Sequence, residues 1–242
     1  DKEVAFADGN WHHYANTYDG AYMRMYLDGE EIESTEKTGT ISGLSSLIIG
    51  RYDGTGYYFD GILDELRVYN RTLTPTEINW SYLRGNASLS SNVSTEGLVL
   101  YLPFNESSGN LAQDYSNTTG GEITSKNNGT LTNYGPMVYN ATGGKFAGAF
   151  EFDGVNDYVD CGNDASLNII EAITVGAWVK PNNVLSGNWP RIISKGENAA
   201  ENVGGYALYL YPDEDATFMI YQSGNIKTAG HTQPLTIGEW NH

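Results

Sequence analysis

Short runs of β-branched and aromatic residues, separated by Gly, Asp and Asn, recur along the whole chain, the pattern of strands joined by tight turns. The clearest runs in the first part are His13–Tyr18, Tyr22–Leu27, Leu47–Gly50 and Leu63–Tyr69. Later ones are Leu98–Phe104, Phe150–Cys161, Thr174–Val179, Arg191–Ser194, Tyr206–Tyr211 and Thr217–Tyr221. In Tyr22-Met23-Arg24-Met25-Tyr26-Leu27 alternate residues face opposite sides, and the Asp28-Gly29 that follows is a two-residue hairpin signal. Such alternation predicts antiparallel sheet. One helix is expected: Thr74 caps it, Pro75 takes its first position, Glu77 completes a capping box and Ile78–Leu83 continue it.

After that helix, residues 84–97 are polar and rich in Ser and Asn, with little to bury, so they are expected to form a flexible linker. The ends of the chain echo each other: Gly9-Asn10-Trp11-His12-His13 matches Gly238-Glu239-Trp240-Asn241-His242 at Gly, Trp and the second His. If the sequence repeats with that period, the stretch after Trp11 is the counterpart of a stretch expected beyond Trp240 in a longer array. Residues 1–83 are then the C-terminal part of one sandwich, 84–97 a glycosylated linker, and 98–242 the N-terminal part of the next. A small all-β unit of the first length buries too little surface to stand alone and leaves its sheet edges open. Those edges are completed either by the chain's own other portion or by a neighbouring molecule.

Composition narrows the class. The chain is 40% apolar with 18 Tyr, too aromatic for disorder and too polar for membrane spans. Thirteen basic against 30 acidic residues give a net charge of −17, which repels nucleic acid and anionic lipid. The single cysteine, Cys161, permits no intrachain disulfide and no Cys-based metal site, and is expected to be a small buried hydrophobe. The chain starts without Met or a secretion signal, as expected of a stretch from within a longer protein.

Several segments resemble landmarks of laminin-G-like domains of the concanavalin A-like jelly-roll superfamily. Gly97-Leu98-Val99-Leu100-Tyr101-Leu102-Pro103-Phe104-Asn105-Glu106-Ser107-Ser108-Gly109 is similar to their opening. Phe150-Glu151-Phe152-Asp153-Gly154-Val155-Asn156-Asp157-Tyr158-Val159 is similar to their second landmark and Thr174–Pro181 to the third. Trp11–Gly20, Tyr26–Gly29 and Phe59–Leu73 resemble the closing set, which here comes first. The resemblance covers nearly everything except the linker and an Asn-rich insertion at about 115–142. It implies an all-β, antiparallel two-sheet jelly-roll sandwich with one short helix. It also implies an extracellular or cell-surface location, with adhesion, glycan binding or spacing as the role, since fold does not fix function.

Three kinds of candidate site stand out. Sequons occur at Asn70, Asn79, Asn86, Asn92, Asn105, Asn117, Asn128 and Asn140, more than random placement of the same residues gives, and clustered between 70 and 142. N-linked glycans are therefore expected. Related sandwiches often hold one structural Ca²⁺, and the resemblance carries that role to Asp64, with Glu65 less certain, and to Asp153, Asn156 and Asp157; Asp153-Gly154 equally suits a plain hairpin turn. Tyr57, Tyr58 and Trp189 lie in Gly-rich loops and are candidates to stack on a sugar face, or to be half-packed. Trp11, Trp178 and Trp240 match core positions of the family.

Catalysis finds no support in the residues. The Glu-x-Asp-x-Glu pattern of glucanases with this fold is missing, and Asp64-Glu65 are expected to adjoin on opposite faces of a strand. No His pair has metal spacing and no Ser sits in a nucleophile elbow. The expected function is an extracellular, N-glycosylated structural or adhesive protein of tandem laminin-G-like domains. It would bind neighbouring copies of itself, cell-surface or matrix glycans, or both, and form a filament by complementation. The alternative is a carbohydrate-binding module of a secreted glycosidase.

Overall fold

The computed structural model describes residues 3–4, 9–42, 45–52, 56–83, 93–119, 122–123, 126–132, 138–182, 189–196, 205–210, 216–222, 225–230 and 235–236. In chain order the first segment supplies β1 (Glu3–Val4), β2 (His12–Tyr18), β3 (Tyr22–Leu27), β4 (Glu30–Glu36), β5 (Leu47–Ile49), β6 (Asp60–Tyr69) and α1 (Pro75–Leu83). The second supplies β7 (Leu98–Leu102), β8 (Leu111–Ala112), β9 (Thr118–Thr119), β10 (Glu122–Ile123), β11 (Gly129–Thr132), β12 (Val138–Asn140), β13 (Ala149–Asp153) and β14 (Tyr158–Asp160). After a tight helical turn at Ala165–Leu167 come β15 (Ile173–Pro181), β16 (Arg191–Lys195), β17 (Tyr206–Leu210), β18 (Ala216–Gln222), β19 (Asn225–Gly230) and β20 (Leu235–Thr236). β1 pairs with β20 and β9 with β10.

Two antiparallel sheets form the sandwich. One runs β12-β13-β6-β15-β2-β3-β4, with β7 paired to the far end of β6. The other runs β19-β18-β17-β16-β5-β14-β11-β8. The segments on either side of the linker therefore interleave: β6 lies between β13 and β15, and β5 between β16 and β14. Inward residues of the first segment, among them Leu47, Ile49, Leu63, Leu66 and Val68, share one buried cluster with Val159, Val175, Leu208 and Phe218 of the second. Burying apolar surface this way is the main stabilising term, about 1.5–3 kcal/mol for each such side chain. Neither segment has a closed interior without that partner surface. In this structure each segment's edges are completed by the other segment of the same chain.

Local features agree with the sequence pattern in most places. Met23, Met25 and Leu27 face the core while Tyr26 faces out, and Asp28 and Gly29 both take positive φ (49° and 87°) in the hairpin turn. In α1, the Glu77 carboxylate accepts from Thr74 N–H (2.8 Å) and Thr74 Oγ1 (2.9 Å), while Thr74 Oγ1 accepts from Glu77 N–H (3.3 Å). The box is closed by an ion pair with Arg71. Ile78 drives into a second apolar cluster with Ala15, Tyr26, Tyr69 and Leu73, which fixes α1 on the outer face of the β6 sheet.

Four expectations change. Residues 84–92 of the linker lie outside the described residues, but its end is docked: Tyr69 Oη donates to Ser94 O (3.1 Å), Arg71 Nε to Glu96 O (2.8 Å) and Asn70 N–H to Gly97 O (2.8 Å). Part of the supposed insertion is core structure, since β11 pairs with both β14 and β8 and buries Leu131. Gly129 is needed there because a Cβ would sit 2.2 Å from Val159 Cγ1. Asp64 and Glu65 do not adjoin on opposite faces. A bulge opposite Gly176 and Trp178, with Glu65 at φ 56°, turns both outward. Trp178 is buried outside the central core, under α1, while Trp11 is half-buried and Trp240 lies outside the described residues.

Candidate functional site

The loop before β6 and the loop before β16 meet at one end of the sandwich. Tyr57 and Trp189 stack there nearly parallel, with ring centroids 5.9 Å apart and an interplanar angle of 12°, and Tyr52 meets Tyr57 edge-on at 5.8 Å. Arg191, at the start of β16, ties the two loops together. Its backbone N–H donates to Tyr57 O (3.1 Å), and Nη1 donates to Trp189 O (2.7 Å). Its guanidinium lies 4.2 Å from the Tyr209 ring centroid and 5.5 Å from that of Tyr57, a favourable charge–quadrupole arrangement. Tyr57 holds a positive φ of 54°, uncommon for a bulky side chain, while Trp189 keeps 40% of its surface exposed. Tyr58 is half-buried and does not join the stack. Two of the three candidate sugar-stacking residues are thus brought together. Tyr52, Arg191 and Tyr209 join them unforeseen, because only cross-strand pairing of Arg191 with Tyr209 places them there.

The candidate calcium ligands fall in two places. Asp64 is buried on β6 and accepts from the N–H groups of Lys145 (2.9 Å) and Phe146 (3.2 Å), anchoring the turn before β13; burial pushes its carboxyl up to about 6. Asp153 pairs with Asp60, four residues away along β6, roughly 13 Å at ~3.3 Å per strand residue. There Asp153 Oδ1 caps the turn by accepting from Val155 N–H (2.8 Å) and Asn156 N–H (3.1 Å), while Asp157 Oδ2 accepts from Asp153 N–H (3.1 Å). Burial, then the charge of Asp153, raises the Asp157 carboxyl to about 6. Asn156 Oδ1 and Asp157 Oδ1 are buried without a hydrogen-bond partner. Asp153, Asn156 and Asp157 therefore offer a small oxygen set suited to a hard cation, short of the 6–8 oxygens calcium takes, and Asp64 is not part of it. No group of three or more His, Cys, Asp or Glu able to hold a metal occurs among the described residues.

Of the sequons, Asn70, Asn79, Asn105 and Asn117 are exposed. Asn128 is half-buried and its Oδ1 accepts from Gln113 Nε2 (2.9 Å) and Asp114 N–H (2.8 Å). Asn140 is half-buried at the end of β12, and Asn86 and Asn92 lie outside the described residues. Cys161 is buried, which pushes its thiol well above the ordinary range and leaves it unreactive.

Two antiparallel sheets packed face to face, with one short helix on an outer face, define the class as a two-sheet β-sandwich. Residues 1–79 and 153–242 match the Laminin_G_3 family model, described as the concanavalin A-like lectin/glucanases superfamily, and the chain belongs to that family. The two matched stretches have the form of a window across a domain boundary, and the break at 80–152 takes in the opening landmark. No curated protein matches the chain. The chain is thus a lectin- or adhesion-like domain of a family that is typically extracellular and non-catalytic. No helix among the described residues is long and apolar enough to cross a membrane.

Proposed function

We propose that this chain is a non-enzymatic structural or adhesive unit of an extracellular, N-glycosylated protein made of tandem laminin-G-like sandwiches, in which neighbouring copies complete one another's sheets. The observation that carries this reading is the interleaving of β5 and β6 with strands from beyond the linker. The same pairings serve equally when the partner segment comes from the next copy, and a head-to-tail exchange of that kind propagates rather than closes. Exposed Asn70, Asn79, Asn105 and Asn117 support the glycan-coated exterior. Electron microscopy and light scattering of the glycosylated protein over a concentration series test it. Chains of sandwiches are expected, and a compact monomer at every concentration removes the filament.

A second reading, a carbohydrate-binding module, is favoured by the Tyr57–Trp189 stack, which leaves Trp189 40% exposed for the apolar face of a pyranose to pack on. Saturable binding to a polysaccharide panel, lost in Trp189→Ala, supports it, and a flat panel removes it. For the hairpin at 153–157 we propose weak cation uptake through Asp153, Asn156 and Asp157. Millimolar Ca²⁺ then raises Tm in the unaltered chain and not in Asp157→Asn, and an unchanged Tm in both overturns it.

A further inference from the structure

The crevice between α1 and the β6 sheet is lined by His13, Ala15, Glu65, Arg67, Ile78 and Ser81, among others, and its walls are apolar. His13 is 3% exposed, and its Nδ1 is buried with no hydrogen-bond partner. Its ring lies 5.4 Å from that of Trp178 and 6.3 Å from that of Tyr82, in the last turn of α1. Tyr82 in turn stacks on Trp178 at 5.6 Å. The helix therefore roofs an uncharged imidazole.

The charges around that ring are set against a proton. From β6 comes Arg67. From the turn before β13 comes Lys145, whose Nζ stands 4.0 Å over the Trp178 ring. The negative neighbours are committed elsewhere: Asp64, across Trp178 from His13, accepts from the Lys145 and Phe146 N–H groups (2.9 and 3.2 Å) and is itself drawn toward its neutral form by burial. Glu65 pairs with Arg67 and accepts from Tyr101 Oη (2.9 Å). Asp28, from the β3–β4 turn, bonds His12 Nδ1 (2.8 Å) and the His13 N–H (2.8 Å). The phenols of Tyr26, Tyr69, Tyr82 and Tyr101 are all pushed up from their ordinary value, chiefly by burial, and stay neutral in acid.

At its other end α1 is fastened differently. The Arg71 pairing holds the Glu77 carboxyl down to about 2, so the capping box survives mild acid. The one α1 ring that meets the His13 ring among the described residues is that of Tyr82, in the last turn.

We propose that α1 is an acid-released clamp: protonation of His13 lifts its last turn off the sheet while the capped first turn stays in place. Burial first, then the Arg67 charge, lowers the His13 pKa from 6.5 to about 3. The folded state therefore binds the proton less well than the open one, and the clamp's stability, full above about pH 6.5, is lost as pH falls toward 3. α1 is also the last element before the linker, so its release lengthens the connection between the two segments and speeds their exchange between copies. That consequence, and only that, rests on the complementation reading.

Hydrogen exchange of the full chain tests the clamp. The opening constant of the Ser81–Leu83 amides, corrected for intrinsic exchange, is expected to rise about tenfold per pH unit on going from about pH 6 to about pH 4. The Glu77 and Ile78 amides, bonded to Thr74 Oγ1 and Thr74 O, should not share that rise, and His13→Gln should abolish it. A pH-independent opening in the unaltered chain overturns the proposal, as does an imidazole of His13 that titrates near 6.5 by NMR with the turn still protected; the NMR test needs no variant. Exchange between fluorescently labelled copies is measured alongside. A clamp that opens in acid with no exchange between copies sinks the complementation reading and leaves the clamp standing.

Discussion

Two arginine–aromatic assemblies in this molecule are built from the same parts and used in opposite ways. On β6, Arg67 lies 4.2 Å from the centroid of Tyr101, is paired with Glu65 and is sealed at 5% exposure beside α1. At the start of β16, Arg191 lies 4.2 Å from the centroid of Tyr209, but the rings beyond it, Tyr57 and Trp189, end at the surface. The first joins strands of the two segments, since Glu65 and Arg67 come from before the linker and Tyr101 from after it. The second fastens two loops and leaves part of the Trp189 ring to solvent. Both guanidinia are buried, at 5% and 4% exposure, but the one closed in by a carboxylate and a phenol across the two segments is a latch, whereas the one beside a Trp ring left 40% exposed is the mount of the proposed sugar-stacking residues.

The largest effect is expected at the latch. Glu65→Ala leaves the Arg67 cation buried without its partner and the Tyr101 hydroxyl without its acceptor, and should cost about 3–5 kcal/mol. Replacing Arg67 by Met in the same chain removes the stranded charge, so the double variant should recover much of that loss in a denaturation cycle. If Glu65→Ala unfolds no more easily than the unaltered protein, the latch is not holding the segments together.

Next in size is Asp64, beside that latch. Its folded pKa is raised to about 6 from 3.8, because burial outweighs the two amide donors. The folded state binds the proton more tightly, so this carboxyl favours folding below about pH 4 and that contribution is lost as pH rises through about 6. Asp64→Asn keeps an acceptor for the Lys145 and Phe146 amides without the charge. It should be more stable than the unaltered chain by about 1–3 kcal/mol at neutral pH, the gap closing in acid; urea titrations at several pH values measure it. The sign is opposite to that of His13, which faces the same sheet, so a flat pH profile of the whole protein would hide two large terms that the variants separate.

How much of this is legible in sequence depends on whether the signal is local. The hairpin at Asp28-Gly29 and the capping box of α1 are set by neighbouring residues, and both form as expected. The sandwich class is legible because its landmarks are short runs, each readable alone. Asp64 resembles a metal ligand because its motif holds a carboxylate, but its partners, the amides of Lys145 and Phe146, lie some 80 residues on and come near only through the β6–β13 pairing. The face taken by Glu65 is not readable either: a bulge breaks the two-residue period, and no Gly marks it. Tyr57 and Trp189 stand out in sequence as separate loop aromatics, whereas Arg191, which joins them, sits in a run with an ordinary strand pattern.

The smallest stability effect, and the sharpest contrast with the latch, belongs to the mount. Trp189 is 40% exposed, and its ring is stacked on that of Tyr57 on one side. Trp189→Ala should therefore cost no more than about 1 kcal/mol, within reach of the stacking term for one aromatic pair plus a partial loss of burial. Its main-chain carbonyl still accepts from Arg191, so the loop keeps its anchor. A calorimetric Tm close to that of the unaltered protein, together with loss of polysaccharide binding, would mark the ring as spent on recognition. A loss as large as that of Glu65→Ala would instead make the two assemblies equivalent, both closing the sandwich, and the distinction between latch and mount would fail.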